Sequence, residues 1–146
     1  MLLLISSRLR QHFQALKESV TPSPALRTFL VEAARAFNAG HYFEAHEIIE
    51  EGLDEVPSEL WDLYIGLIQI AVGYHKASQQ LWSGAGRMLQ MGLEKITAHP
   101  PTAGGVNVEA LGARVRADIH LLHNRRLDLE AFTRSPPRLQ LRKGGG

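Results

Sequence analysis

Two side chains able to hold an ion or a proton stand one helical turn apart in the stretch YFEAHEIIEEGL, namely His46 and Glu50. An imidazole nitrogen and a carboxylate four residues apart on a helix point the same way, so they can reach one divalent ion or each other. Placed at ~100° per residue with His46 at zero, Phe43, Glu50, Leu53, Tyr42 and Ile49 all fall within about 60° of it. Glu44, Glu51 and Glu55 fall on the opposite face and need no explanation beyond solubility. His46 and Glu50 thus lie within the apolar arc, where a carboxylate needs a partner.

The next helical stretch offers a matching polar stripe of Asp62, Gly66, Gln69, Gly73 and Lys76 among Leu, Ile, Val, Tyr and Trp. An antiparallel hairpin turning near Pro57 sets Gln69 level with His46, and Glu50 near Gly66, whose missing side chain leaves room for a carboxylate. The expectation is a buried polar cluster of His46, Glu50 and Gln69, with Asp62 and His75 one to two turns away at either end. A metal site needs three or four protein ligands. His46 and Glu50 supply two, and His75 is a better third donor than Asp62, Glu47 or Gln69. The hypothetical ligand set is therefore His46, Glu50 and His75 for Zn, Mn, Fe or Ni. Were such a site catalytic, it would be a metal-dependent hydrolase, the ion activating water with Glu47 or Glu50 as base. The same cluster without an ion is a structural network that fixes hairpin register, or a metal-free catalytic pair. HEIIE lacks the second histidine of a zincin-type protease, and no Glu-x-x-His occurs as di-iron bundles require.

The elements that must position these residues are helices. Seven prolines, at 22, 24, 57, 100, 101, 136 and 137, divide the chain into blocks. Apolar spacing predicts an N-terminal amphipathic helix over 2–20, with Leu9, Phe13, Leu16 and Val20 on one stripe. Further helices are expected over 25–38, 42–56, 58–78 with Ser58 as N-cap, 81–98 and 108–127. The 58–78 block is apolar nearly all round, which marks it as the buried central helix. Tyr42, Ala45, Ile49 and Gly52 are echoed forty residues on by Trp82, Ala85, Leu89 and Gly92. That echo predicts an all-α bundle of two stacked antiparallel helical hairpins, tetratricopeptide-like, with one extra helix on each side. The domain reading is an N-terminal helix and linker over 1–24, a bundle over 25–127 and a disordered basic tail over 128–146.

Composition excludes several function classes. In 146 residues there is no cysteine, so neither thiolate ligands nor a cysteine nucleophile is available. No apolar run approaches the roughly 18 residues of a membrane span, and MLLLI is shorter than the ~7-residue core of a signal peptide, which predicts a cytoplasmic protein without membrane contact. Net charge is +1, yet residues 36–75 hold eight acids and no Lys or Arg. That acidic surface could dock a basic protein partner. Arg125, Arg126, Arg134, Arg138, Arg142 and Lys143 lack interleaved aromatics and read as a solvated tail rather than a nucleic-acid contact. His120 and His123 read as a shoulder residue and a helix C-terminal cation. GAGR at 84–87 follows no strand, so it is no phosphate loop, and no nucleophile elbow is present.

FNAGHYFEAHEIIEEGL, LYIGLIQIAVGYHKA and GAGRMLQMGLEKI together resemble a small bacterial and archaeal all-helical family, domain-of-unknown-function family number 309. The resemblance covers about residues 36–97. Its signature is His, three residues, Glu, two residues, then Trp or Tyr, and it implies a metal-binding role for His46 and Glu50. The aromatic position falls on Leu53, so whatever an indole or phenol contributes there is missing. The family implies a helical fold and carries no assigned activity.

Overall fold

The computed structural model describes residues 23–101 and 103–142; the helix expected over 2–20 lies outside them. Six α-helices follow one another: α1 Pro24–Asn38, α2 Tyr42–Glu51, α3 Trp61–Ser78, α4 Trp82–Thr97, α5 Val108–His123 and α6 Leu129–Arg134. Among the described residues no strand forms, beyond one isolated bridge between Val106 and Leu141. The protein is an all-α bundle.

Local chemistry explains where the helices start and stop. Ser23 caps α1, its hydroxyl accepting from the Leu26 N–H at 3.2 Å, and Pro24 takes the first helical position, where its missing N–H costs nothing. Gly40, at φ 85°, makes the turn into α2. The stretch expected to be helical through Val56 instead ends at Gly52 and passes through two 3-10 turns, Leu53–Glu55 and Ser58–Leu60, around Pro57. Ser58 makes no capping bond, so α3 starts three residues later than its sequence suggests. Asn107 caps α5 through the Ala110 N–H at 3.0 Å, and Asp128 caps α6 through the Glu130 N–H at 3.0 Å.

From α1 to α5 each helix packs on its neighbour in the chain, most extensively α3 on α4. Glycine sets that intimacy. A Cβ on Gly66 would lie 2.9 Å from Ile96 and Lys95, one on Gly73 2.8 Å from Leu89, and one on Gly92 2.6 Å from Ile70. The two backbones are therefore closer than any side chain at those positions allows. The core runs from Leu26, Leu30 and Phe37 of α1 through Leu63, Leu67 and Ile70 of α3 to Leu111 and Val115 of α5.

The segment expected to be a disordered tail over 128–146 is folded onto the bundle as far as Arg142. Phe132 is buried against Tyr42 and Tyr74, and Leu139 is buried as well. Asn38 holds Leu139 twice, accepting from its N–H at 2.7 Å and donating to its carbonyl at 3.2 Å. Asn107 N–H to Gln140 O and Arg142 N–H to Gly105 O complete the strap. Basic composition suggested solvation, yet the apolar Phe132, Leu139 and Leu141 decide the outcome.

Candidate functional site

His46 and Glu50 sit on α2 as expected, one turn apart, with Nε2 3.6 Å from Oε2. The His46 Nδ1–H donates to the Phe43 carbonyl at 2.6 Å, which leaves Nε2 as the nitrogen turned toward the carboxylate. The His46 side chain is 15% exposed and that of Glu50 64% exposed. Glu50 is thus at the surface, not in a buried cluster. The wheel set it within the apolar arc, yet its carboxylate lies open to solvent on α2.

The rest of the expected cluster does not assemble around the pair. Gly66 and Gly73 face α4, and Gln69 shares their stripe by helical periodicity, so it too lies on the α4 side and not beside His46. Its Oε1 is buried without a hydrogen-bond partner. Gly66 makes room for α4 rather than for the Glu50 carboxylate. Asp62 is exposed at the start of α3. His75 packs on the Phe43 ring at 5.2 Å between centroids, and the same ring meets His46 at 4.7 Å. Phe43 thus joins the two histidines by ring contacts, and among the described residues no three His, Asp or Glu side chains converge on a point where an ion could sit. The hairpin register itself is close to expectation, with Tyr42 opposite Tyr74 and Phe43 opposite His75.

The buried charge of this protein is elsewhere. Asp118 of α5 is 3% exposed, and its Oδ2 accepts from the Tyr74 hydroxyl at 2.6 Å and from Arg114 Nε at 2.9 Å. Arg114 also donates to the Ser135 carbonyl at 2.7 Å, tying the network to the C-terminal strap. Tyr74 in turn belongs to a cluster of rings with Phe37, Tyr42 and Phe132, with centroids 5.1 to 6.2 Å apart. Burial pushes the Tyr42 phenol up to about 12, with Arg114 opposing and Asp118 adding to the rise. Tyr74 is raised well above its usual value, first by burial and then by Asp118, since a second negative charge beside that carboxylate is disfavoured. The arrangement is a buried carboxylate with its hydrogen bonds made, which serves packing rather than turnover. Sequence reasoning missed it. The one available signal was Arg114 four residues before Asp118 on a helix, a spacing that is common on solvated faces.

A half-open groove runs between α4 and the end of α5, with a volume of about 920 Å³. Trp82, the first residue of α4, lies 37% exposed at this groove.

Residues 30–88 match a family model described as Domain of unknown function (DUF309). That segment is a DUF309 domain. It runs from Leu30 of α1 to Met88 of α4, and so contains His46, Glu50, Gln69 and His75. Arg114, Asp118 and the strap lie beyond the DUF309 match. No curated protein matches the chain. Among the described residues no helix is long and apolar enough to cross a membrane.

Proposed function

We propose that this chain is a helical binding module that takes a basic amphipathic helix along an apolar seam on α3. Trp61, Ile65, Ile68, Val72 and His75 recur at intervals of four and three, so they line one edge of α3, about 21 Å long at 1.5 Å per residue. Ile68 packs on the core from this edge, while α4 lies against the stripe of Gly66 and Gly73 instead. Its middle residues are partly exposed. The observation that carries the reading is at its two ends, where Trp61 is 45% and Phe43, packed on His75, 51% exposed. Exposed aromatics at the ends of a partly open apolar seam are what anchor a partner helix. All eight acids between 36 and 75 are exposed, Glu47 and Glu50 on the Phe43 side of α2 among them. The charge therefore favours a basic partner.

A fluorescein-labelled model peptide with Leu at heptad a and d positions and Lys elsewhere is the probe, read by anisotropy. It should bind the full chain saturably and more weakly as salt rises, while the same peptide with Glu for Lys should not. Phe43→Ala combined with Trp61→Ala should weaken it about tenfold or more. Equal binding of the acidic peptide, or no change in the double variant, rejects the reading.

A second reading has one observation in its favour. A divalent ion held at ~2.1 Å by two ligands of a tetrahedron spaces them about 3.4 Å apart, and Nε2 and Oε2 of His46 and Glu50 are 3.6 Å apart. The backbone bond to Nδ1 is also what orients metal-ligating imidazoles. These two donors fit half of a coordination shell; the other ligands would come from water or another molecule. Such an ion would supply Lewis-acid polarisation of bound water. Near-stoichiometric metal in untagged protein purified without chelator, measured by plasma mass spectrometry and lost in Glu50→Gln, supports this reading. Metal far below one per chain and unchanged by the variant rejects it.

A further inference from the structure

We infer that the groove between α4 and α5 is a binding site for an amphipathic organic anion, a flat or elongated apolar body carrying a phosphate or carboxylate head. The inference stands apart from the seam on α3. The groove's volume of about 920 Å³ lies within the usual span of small-molecule sites. Trp82, Ile119, Leu122 and Leu127 make its apolar lining, and Arg87, Arg125 and the His123 imidazole line it as well. Among the described residues that line it there is no carboxylate. The nearest on the same helix face, Glu94, accepts from Gln90 Nε2 at 3.1 Å. Two permanently charged guanidinium forks over an indole and aliphatic walls can hold an anionic head and its apolar body at once.

Backbone conformation sets Arg125 apart from an ordinary surface cation. It follows the end of α5 at φ 54°, with its N–H bonded to the Leu122 carbonyl at 3.1 Å and the next N–H, of Arg126, bonded to the Leu121 carbonyl at 2.8 Å. This is the helix-ending position that glycine fills by default, because a Cβ there is strained. A cation near the helix C-terminus needs no such position, since His123 and Arg126 already stand there. Of the two non-glycine residues at positive φ among the described residues, Gln80 and Arg125, it is Arg125 that lines the groove. An observed outlier facing a cavity points to use of that side chain.

The internal echo adds a second line of argument. Tyr42 and Trp82 hold matching positions, each opening a helix three residues before a fully buried alanine, Ala45 or Ala85. Phe132 packs on Tyr42 and closes that place. Trp82 instead lines an open groove. One copy of the pattern is filled by the chain itself, and the other presents its aromatic ring to whatever enters. Gly86, one turn along α4, also lines the groove, and a Cβ built there meets nothing within 4 Å. Its position can be filled without touching the core.

Isothermal titration of the full chain with 1-naphthyl phosphate tests the assignment, with 1-naphthol, inorganic phosphate and decanoate as companions. Naphthyl phosphate should bind at one site, at least about tenfold tighter than body or head alone, because each half contributes. Comparable binding of decanoate assigns an aliphatic carboxylate, and its failure assigns an aromatic phosphate; either supports a site for an amphipathic anion. Gly86→Leu should remove binding while leaving the helical circular dichroism and Tm at or above those of the wild type, since leucine is the better helix former. Arg125→Gly should weaken binding about tenfold or more while raising Tm, as relief of a strained residue does. No heat from either amphipathic anion overturns the site. So does inorganic phosphate binding as tightly as naphthyl phosphate, or a folded Gly86→Leu chain that binds unchanged.

Discussion

Two acid–base pairs in this bundle share one spacing and little else. His46 and Glu50 on α2 stand four residues apart, as do Arg114 and Asp118 on α5, yet the first carboxylate is 64% exposed and the second 5%. The first pair is 3.6 Å apart and the second 2.9 Å. Asp118 is additionally bonded by Tyr74, whose ring stacks on Phe132. Spacing along a helix therefore says which side chains can meet; what lies over them decides what the meeting is worth. In water at 4 Å a unit charge pair gains about 1 kcal/mol, most of it offset by screening and side-chain entropy. In a buried site the same pair cannot be broken from one side without stranding a charge.

The largest expected effect follows from that asymmetry. Asp118→Ala leaves Arg114 and the Tyr74 hydroxyl without their shared acceptor and should cost about 3 kcal/mol, whereas Glu50→Ala should cost at most about 1 kcal/mol. Urea denaturation of both variants, compared by midpoint at equal slope, measures the difference directly. Equal losses would show that the burial of Asp118 contributes nothing.

Alkaline pH probes the same buried region without mutation. The Tyr42 phenol, raised to about 12 by burial, stays protonated in the fold after an unfolded tyrosine has ionised at about 10. Between those values the unfolded chain binds fewer protons, so stability is fully present below about pH 10 and declines as pH rises toward 12. Two units correspond to about 2 to 3 kcal/mol from this residue at the upper end. Tyr74 adds in the same direction. Thermal melts across this range should fall more steeply for the wild type than for Tyr42→Phe, and parallel curves would deny the burial.

Much of the fold was legible in the sequence, and much of the site was not, for a physical reason. Proline positions and apolar spacing mark helix limits because they act within one turn, and α1, α4 and the start of α5 lie within a residue of their expected places. The stripe of Gly66, Gln69 and Gly73 was equally visible as a stripe, but which neighbour it faces is settled by the angles between helices. It meets α4, whose Gly92 matches it, and so Gln69 never joins His46. Asp118 was hidden for a different reason. Its partner Tyr74 is 44 residues away, and Phe132, which stacks on Tyr74, lies in a segment whose arginines suggested solvent. Trp82 echoes Tyr42 in sequence, but Phe132 packs on Tyr42 while Trp82 stays 37% exposed.

Tyr74→Phe sharpens the comparison within the buried pair. It keeps the ring that stacks on Phe132 and removes one hydrogen bond to an ionised acceptor, at a cost of about 1.5 to 2 kcal/mol. Because Arg114 still holds Asp118, the loss should stay below that of Asp118→Ala. A double-mutant cycle between Tyr74→Phe and Asp118→Asn should give a coupling of about 1 kcal/mol or more, since the two atoms are in direct contact. Additive losses would mean that the hydroxyl is served elsewhere.

The smallest effect belongs to Glu50→Gln, and its smallness is informative. In chelated protein the change removes a charge from a side chain that is 64% exposed, so stability should move by less than about 0.5 kcal/mol. A larger loss would mean that the pair carries structural weight that its exposure does not suggest. The same two proteins melted with added Zn²⁺ or Mn²⁺ then separate architecture from ligation. An ion bound by His46 and Glu50 raises the Tm of the wild type with concentration and leaves Glu50→Gln behind, because only the folded wild type presents both donors. If both proteins respond alike, the pair is a surface contact, and the acids of α2 act through their summed field on a docked partner.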